Sequence, residues 1–156
     1  MLTTTTFTIR PLPADDARTI RAARETHGNP VRYVLDADGG KPCRHCLQAG
    51  AAGDGMILAS YSPFTKTGPY AEIGPIYIHA QACPSYAERD SFPADFAPKR
   101  FVLRKYDAEH NNLGGELIGE RSPESVIAQL FSDSKVAYLH ARFFGAGCYA
   151  FRIDRA

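Results

Sequence analysis

What this chain most plainly lacks is an excess of either charge: 18 Lys and Arg stand against 17 Asp and Glu, a formal net charge of +1. A protein drawn to nucleic acid or to an anionic membrane by its bulk field needs a cationic surplus, so the balance argues against both partners. Long apolar runs are missing too. No stretch approaches the roughly 18 apolar residues of a membrane-spanning helix, and the opening Met1-Leu-Thr-Thr-Thr-Thr-Phe-Thr-Ile-Arg10 has neither the basic nor the apolar part of an export signal. The expectation is a cytoplasmic protein. Also absent are a nucleophile elbow, an HExxH helix and a phosphate-cradling glycine loop, since no helix pattern follows Gly114-Gly115. No repeat, heptad or low-complexity tract breaks up the 156 residues. The chain reads as one domain, 1–156, and as a binding protein rather than an enzyme, with no catalytic residue assigned.

Cysteine is sparse, at four residues, but it is arranged. In a reducing compartment such thiols serve as metal ligands, catalytic groups or packed side chains rather than as a disulfide framework. Cys43-Arg44-His45-Cys46 has the spacing of a knuckle that closes around one ion, and His79-Ala-Gln-Ala-Cys83 supplies a second pair. Two strand-like stretches between the pairs, Met56-Ile-Leu-Ala-Ser-Tyr61 and Gly74-Pro-Ile-Tyr-Ile-His79, would carry the chain out and back. Cys43, Cys46, His79 and Cys83 are therefore the expected ligands of a structural Zn²⁺. With four protein ligands the coordination sphere is closed, so the ion would contribute folding energy rather than activate water. Function would then lie beside the knuckle, on a surface formed by Arg44, His45 and the 62–75 loop, facing an unidentified protein or small molecule.

Two rivals come from other classes. Cys43 and Cys46 have the spacing of a redox dithiol, with Arg44 and His45 placed to depress the pKa of Cys43. That chemistry calls for a long helix after the first turn, which Gly50, Gly53 and Gly55 disfavour. The other rival is a metal-free module for a small anionic ligand, walled by Tyr61, Tyr70 and Tyr77 and charged by Arg44 and Arg142. Tyrosines at strands more commonly serve as half-buried sheet residues.

Along the chain, Thr5–Arg10 alternates as a strand. Pro13, the acidic pair Asp15 and Asp16, the spaced Ala17, Ile20 and Ala23, and Gly28 beyond predict a helix of about 14 residues, with Arg18, Arg21 and Arg24 on a solvated face and His27 at its C-terminus. Strands follow at 31–36, 56–61 and 76–79, with a Pro-, Gly- and Tyr-rich loop over 62–75 and a short helical turn opening at Cys83-Pro84. Strands at 100–106 and 116–119 flank a turn at 111–115. Ser122-Pro123-Glu124 starts a second helix that carries Val126, Ile127, Leu130 and Phe131 on one stripe. A closing hairpin over Gly145-Ala146-Gly147 buries Leu139, Phe143, Phe151 and Ile153, and Cys148 beside it reads as a packed thiol. The sum is an α+β fold, a mainly antiparallel sheet with two principal helices in a single layer on one face.

Pro42-Cys43-Arg44, Ser62-Pro-Phe, Gly68-Pro-Tyr70, Gly74-Pro-Ile76 and the closing Gly147-Cys-Tyr-Ala-Phe-Arg-Ile-Asp-Arg155 occur in an order that resembles the bacterial domain-of-unknown-function family 1203 over nearly the whole length. The resemblance implies a small bacterial single-domain protein and carries over no reaction, cofactor or catalytic set.

Overall fold

The computed structural model describes residues 7–97 and 100–156. In chain order the elements are β1 (Phe7–Arg10), α1 (Ala14–Ala22), β2 (Glu25–Thr26), β3 (Asn29–Pro30), β4 (Arg32–Asp36), β5 (Asp54–Tyr61), β6 (Gly74–His79), β7 (Phe101–Tyr106), β8 (Asn112–Leu117), α2 (Pro123–Phe131), β9 (Tyr138–Phe143) and β10 (Tyr149–Arg155). All strand pairs are antiparallel, which makes the fold α+β with mainly antiparallel sheets. Thr5 and Thr6 of the expected first strand lie outside the described residues. Among the described residues no helix is long and apolar enough to cross a membrane.

The chain divides into two compact units. The first gathers the described residues of Met1–Arg10, Glu88–Phe92 and Ala97–Ala156 around a five-stranded sheet in the order β1-β10-β9-β7-β8. Local chemistry sets its helix. Ser122 Oγ accepts from the N–H of Ser125, Pro123 takes a first-turn position where no N–H partner is needed, and Val126, Ile127, Leu130 and Phe131 are buried on one stripe. Phe101, Leu103, Leu139, Phe151 and Ile153 are buried in the sheet. Phe92 meets Phe101 and Phe151 edge to face, with centroids 5.2 and 5.4 Å apart. The turn between β7 and β8 forms earlier than the sequence suggested. Asp107 accepts from the backbone of Glu109 and Asn111, so the turn is Asp107–Asn111 and the strand begins at Asn112.

The second unit, Pro11–Ala87 with Pro93–Phe96, holds α1, the β2–β3 hairpin and the three-stranded sheet β4-β5-β6. Here the expected 14-residue helix is cut short. Ala23 turns to extended backbone (φ −81°, ψ 147°), and Thr26 pairs with Asn29 across His27 (φ 49°) and Gly28 (φ 77°). Two consecutive positive φ values make the mirror-image turn whose twist suits a two-residue hairpin, and Gly28 takes its second position without strain. Gly28 is thus a hairpin residue, not a helix terminator, and His27 is not at a helix end. Residues 40–50 form a narrow hairpin, held by Gly40 N–H to the Gly50 carbonyl and Gly50 N–H to the Lys41 carbonyl, both 2.8 Å. At its base the buried Asp36 carboxylate accepts from the Lys41 N–H at 2.9 Å. A Cβ on Gly50 would stand 2.5 Å from that carboxylate, so glycine is required there by close approach. The tip of this hairpin is the Cys43–Cys46 turn.

Candidate metal centre

The turn is closed by backbone hydrogen bonds. Leu47 N–H donates to the Cys43 carbonyl and Cys43 N–H to the Gln48 carbonyl, each at 3.0 Å. Leu47, directly after the second cysteine, adopts φ 56°, a left-handed conformation that usually falls to glycine. Its side chain is 1% exposed, so burial offsets the backbone cost that glycine would avoid. No helix follows Cys46, which removes the strand-into-helix setting that a thioredoxin-like dithiol needs.

β6 brings in the partner ligands. Cys43 lies against β6 as a parallel bridge to Tyr77, and Arg44 N–H donates to the Tyr77 carbonyl at 2.9 Å. That register sets His79, two residues on, beside the cysteines. The chain then leaves the sheet irregularly, without the helical turn expected at Cys83-Pro84, and returns Cys83 to the same spot. Side-chain ligand atoms of Cys43, Cys46, His79 and Cys83 all lie within 4.8 Å of one another. Cys43 Sγ is 3.8 Å from Cys83 Sγ, and Cys46 Sγ is 3.5 Å from His79 Nδ1. Zn–S bonds of about 2.3 Å and a Zn–N bond of about 2.0 to 2.1 Å give tetrahedral edges of about 3.8 Å between sulfurs and about 3.5 Å between sulfur and nitrogen. Two of the six edges, Cys43–Cys83 and Cys46–His79, agree with that geometry, and no edge exceeds 4.8 Å. The donor set and its spacing fit a tetrahedral ion.

The surroundings favour thiolate. Cys43 Sγ accepts from the His79 N–H at 3.3 Å. Hydrogen bonds from the Cys46 and Cys83 thiols hold the Cys43 thiol far below its ordinary pKa against the opposing effect of burial, with the backbone N–H groups of Cys46 and His79 adding to the shift. The same contacts, first with Cys43 and then with Cys83, push Cys46 up. Arg21 on α1 donates from Nε to the His79 carbonyl at 2.9 Å and from Nη2 to Cys83 Sγ at 3.5 Å. One of the three helix arginines is therefore no solvated residue but a countercharge at the cluster. On the far side of the imidazole, His79 Nε2 stands 3.4 Å from Asp54 Oδ2. A carboxylate at the other nitrogen is how a metal-ligating histidine is commonly oriented.

Of the remaining sequence candidates, Arg44 and His45 face inward. Arg44 is 1% exposed and His45 4% exposed. Arg44 Nη1 donates to the Pro42 carbonyl at 2.7 Å, and His45 Nδ1 is 2.7 Å from the Leu12 carbonyl oxygen, to which it donates. Leu12 N–H in turn donates to the Arg44 carbonyl, so the two central knuckle residues tie the segment before α1 to the turn. Spacing alone does not reveal which way the two middle residues of the turn face. Tyr70 is exposed in the 62–75 loop, whereas Arg142 is buried on β9 in the first unit and donates to the Gly147 carbonyl at 3.1 Å. The sequence pattern does not mark Asp54 or Leu47, and it reads Arg21 as a solvated residue. Asp54 was within reach: β5 pairs Met56 with His79, and Asp54 is two residues from Met56 on the same face.

Comparison with curated proteins and with solved structures finds no match. A family model described as Protein of unknown function (DUF1203) matches residues 40–155, beginning just before the knuckle and taking in all four clustered residues, and the chain belongs to that family.

Proposed function

We propose that Cys43, Cys46, His79 and Cys83 hold one Zn²⁺ as a closed, structural site, and that the protein is a zinc-stabilised, non-catalytic binding domain. The observation that carries this reading is the meeting of all four side chains, two of whose edges, 3.8 Å and 3.5 Å, have the lengths of a tetrahedral S₃N sphere. When bound, the ion supplies a four-point cross-link between the 40–50 hairpin, β6 and the segment after it, and so contributes folding energy. The chain's own groups do the rest. Asp54 orients the His79 ring so that Nδ1 faces the sulfurs, the His79 N–H stabilises the Cys43 thiolate, and Arg21 offsets the net negative charge that three thiolates leave around a divalent ion. Four protein ligands leave no position for a reactive water, which is why the site is read as structural.

Elemental analysis of untagged protein tests this directly. The expected result is one zinc per chain, with three thiols protected from alkylation until a denaturing chelator is added. Cys46→Ser and Cys83→Ser should each lose the metal. Metal-free wild-type protein with an alkylation-prone Cys43 would support the dithiol alternative instead.

A further inference from the structure

A cleft in the second unit, away from the cysteines, has a volume of about 520 Å³ and lies between the β2–β3 hairpin and the ends of β5 and β6. That is a size that accepts a small organic molecule. Its shape is set by the hairpin, because Thr26 Oγ1 donates to the Ser60 carbonyl at 2.7 Å and Asn29 Nδ2 donates to Ser60 Oγ at 3.0 Å. Apolar groups form most of its wall: Pro30, Leu58, Ile73 and Pro75. Ile73 is 57% exposed, a large aliphatic side chain facing solvent at the rim. The charge is one-sided. Arg32 lines the cleft beside its cross-strand partner Leu58, and among the described residues no carboxylate lines it and its guanidinium has no ion-pair partner. The carboxylate in the adjoining hollow, Asp16, is already engaged by the Tyr61 hydroxyl at 3.3 Å. Ser60 Oγ accepts from Asn29 and keeps its own proton to donate.

From this we infer that the cleft is a binding site for a small amphipathic carboxylate, with the anion on Arg32 and the Ser60 hydroxyl and the apolar part against Leu58, Pro30, Pro75 and Ile73. A fixed guanidinium fork matches a carboxylate with two parallel hydrogen bonds. The apolar wall selects against a bare inorganic anion, which would desolvate those side chains without covering them. This inference does not rest on the metal. It concerns different residues, and its test is read at the cleft.

The experiment titrates the full chain, as purified, with three probes: octanoate, octanol and inorganic phosphate. Binding is followed by calorimetry and by the amide chemical shifts of residues 27–32, 58–60 and 73–75. Octanoate is expected to saturate a single site, with octanol (tail without anion) and phosphate (anion without tail) each at least about tenfold weaker. Arg32→Gln and Ile73→Asp change exposed side chains, so both variants are expected to keep the wild-type thermal midpoint while losing about tenfold in octanoate affinity. The inference is overturned if octanoate fails to saturate below about 10 mM. It is equally overturned if Arg32→Gln binds octanoate as tightly as wild type, if octanol or phosphate binds equally well, or if the shifted amides lie elsewhere.

Discussion

The two units build their interiors from different materials. In the first, Phe7, Phe92, Phe101, Tyr106, Phe131, Tyr138, Tyr149 and Phe151 are all buried, and rings stack or meet edge to face from β7 across β9 to β10. In the second, Phe96 is the one buried aromatic among the described residues. Two cysteines at 0% and 5% exposure take interior positions, while β4 leaves Tyr33 at 69% and Leu35 at 57% exposed. With one buried ring among the described residues, the second unit relies on aliphatic side chains such as Leu12, Leu47, Met56, Ile76 and Ile78, and a unit this small gains a limited stability from burial alone. Metal ligation is a common physical substitute, and on the proposed reading the thiol–imidazole cluster supplies to the second unit what ring packing supplies to the first. The contrast also shows where change is tolerated. An aromatic core loses stability in steps as methylenes are removed, whereas a four-ligand site is lost nearly whole with one ligand.

The largest effect should therefore follow Cys46→Ser. Structural zinc contributes on the order of 10 to 16 kcal/mol of apparent folding energy in small modules, so amide-exchange protection in β5 and β6 should collapse. Protection in β7, β9 and β10 should fall much less, and an equal loss in both units would break the comparison. Phe151→Ala reverses the pattern. Deleting a fully buried ring that Phe92 and Phe101 both touch should cost about 3 to 5 kcal/mol, read in β9 and β10, with metal stoichiometry unchanged.

Acid separates the units in a third way. His140 is fully buried among the rings of Tyr106, Tyr138 and Tyr149, with centroids 4.8 to 5.2 Å away. Burial first, then the charges of Arg142, Arg152, Arg104 and His110, lower its pKa from 6.5 to about 3. The native state thus keeps the imidazole neutral where the unfolded chain takes up a proton. Stability from this residue is complete above pH 6.5, falls as pH drops toward about 3, and changes no further below. The slope for one group is at most about 1.4 kcal/mol per pH unit. Exchange from β9 and β10 between pH 6.5 and 4 measures it, and His140→Phe should flatten that limb.

Asp54→Asn sharpens the comparison within the second unit. It leaves all four ligands in place but weakens the orientation of His79, so zinc affinity measured against a competing chromophoric chelator should drop by about 10- to 100-fold. Unchanged affinity would mean that the 3.4 Å approach does nothing for the site. Smallest of the set, Ser122→Ala removes the α2 cap and should cost the first unit about 1 kcal/mol by denaturant unfolding, with no effect on metal.

What could be read from the sequence follows from how local each signal is. The α2 start, with Ser122, Pro123 and Glu124 within three residues, and the β9–β10 hairpin are specified by neighbours in the chain, and both stand where they were expected. The clustering of Cys43, Cys46, His79 and Cys83 was legible because a two-residue gap between thiols and a strand-borne histidine constrain the chain over short distances. Arg44 and His45 could not be placed, since their burial depends on Leu12, more than thirty residues earlier. Residues 23–28 continue a helical spacing, yet β-pairing through Thr26 and Asn29 won, because Thr26 and Asn29 also bond Ser60 on β5. Arg21 looked solvated for a similar reason: its partners, the His79 carbonyl and Cys83 Sγ, are brought to it by the fold alone.

X-ray absorption at the zinc edge of the purified protein tests the central claim most directly. The account predicts a single four-coordinate shell of three sulfurs at about 2.3 Å and one nitrogen at about 2.0 to 2.1 Å, with the nitrogen lost in His79→Ala. A shell dominated by oxygen and nitrogen, or protein that carries no zinc while β5 and β6 keep full exchange protection, would contradict it.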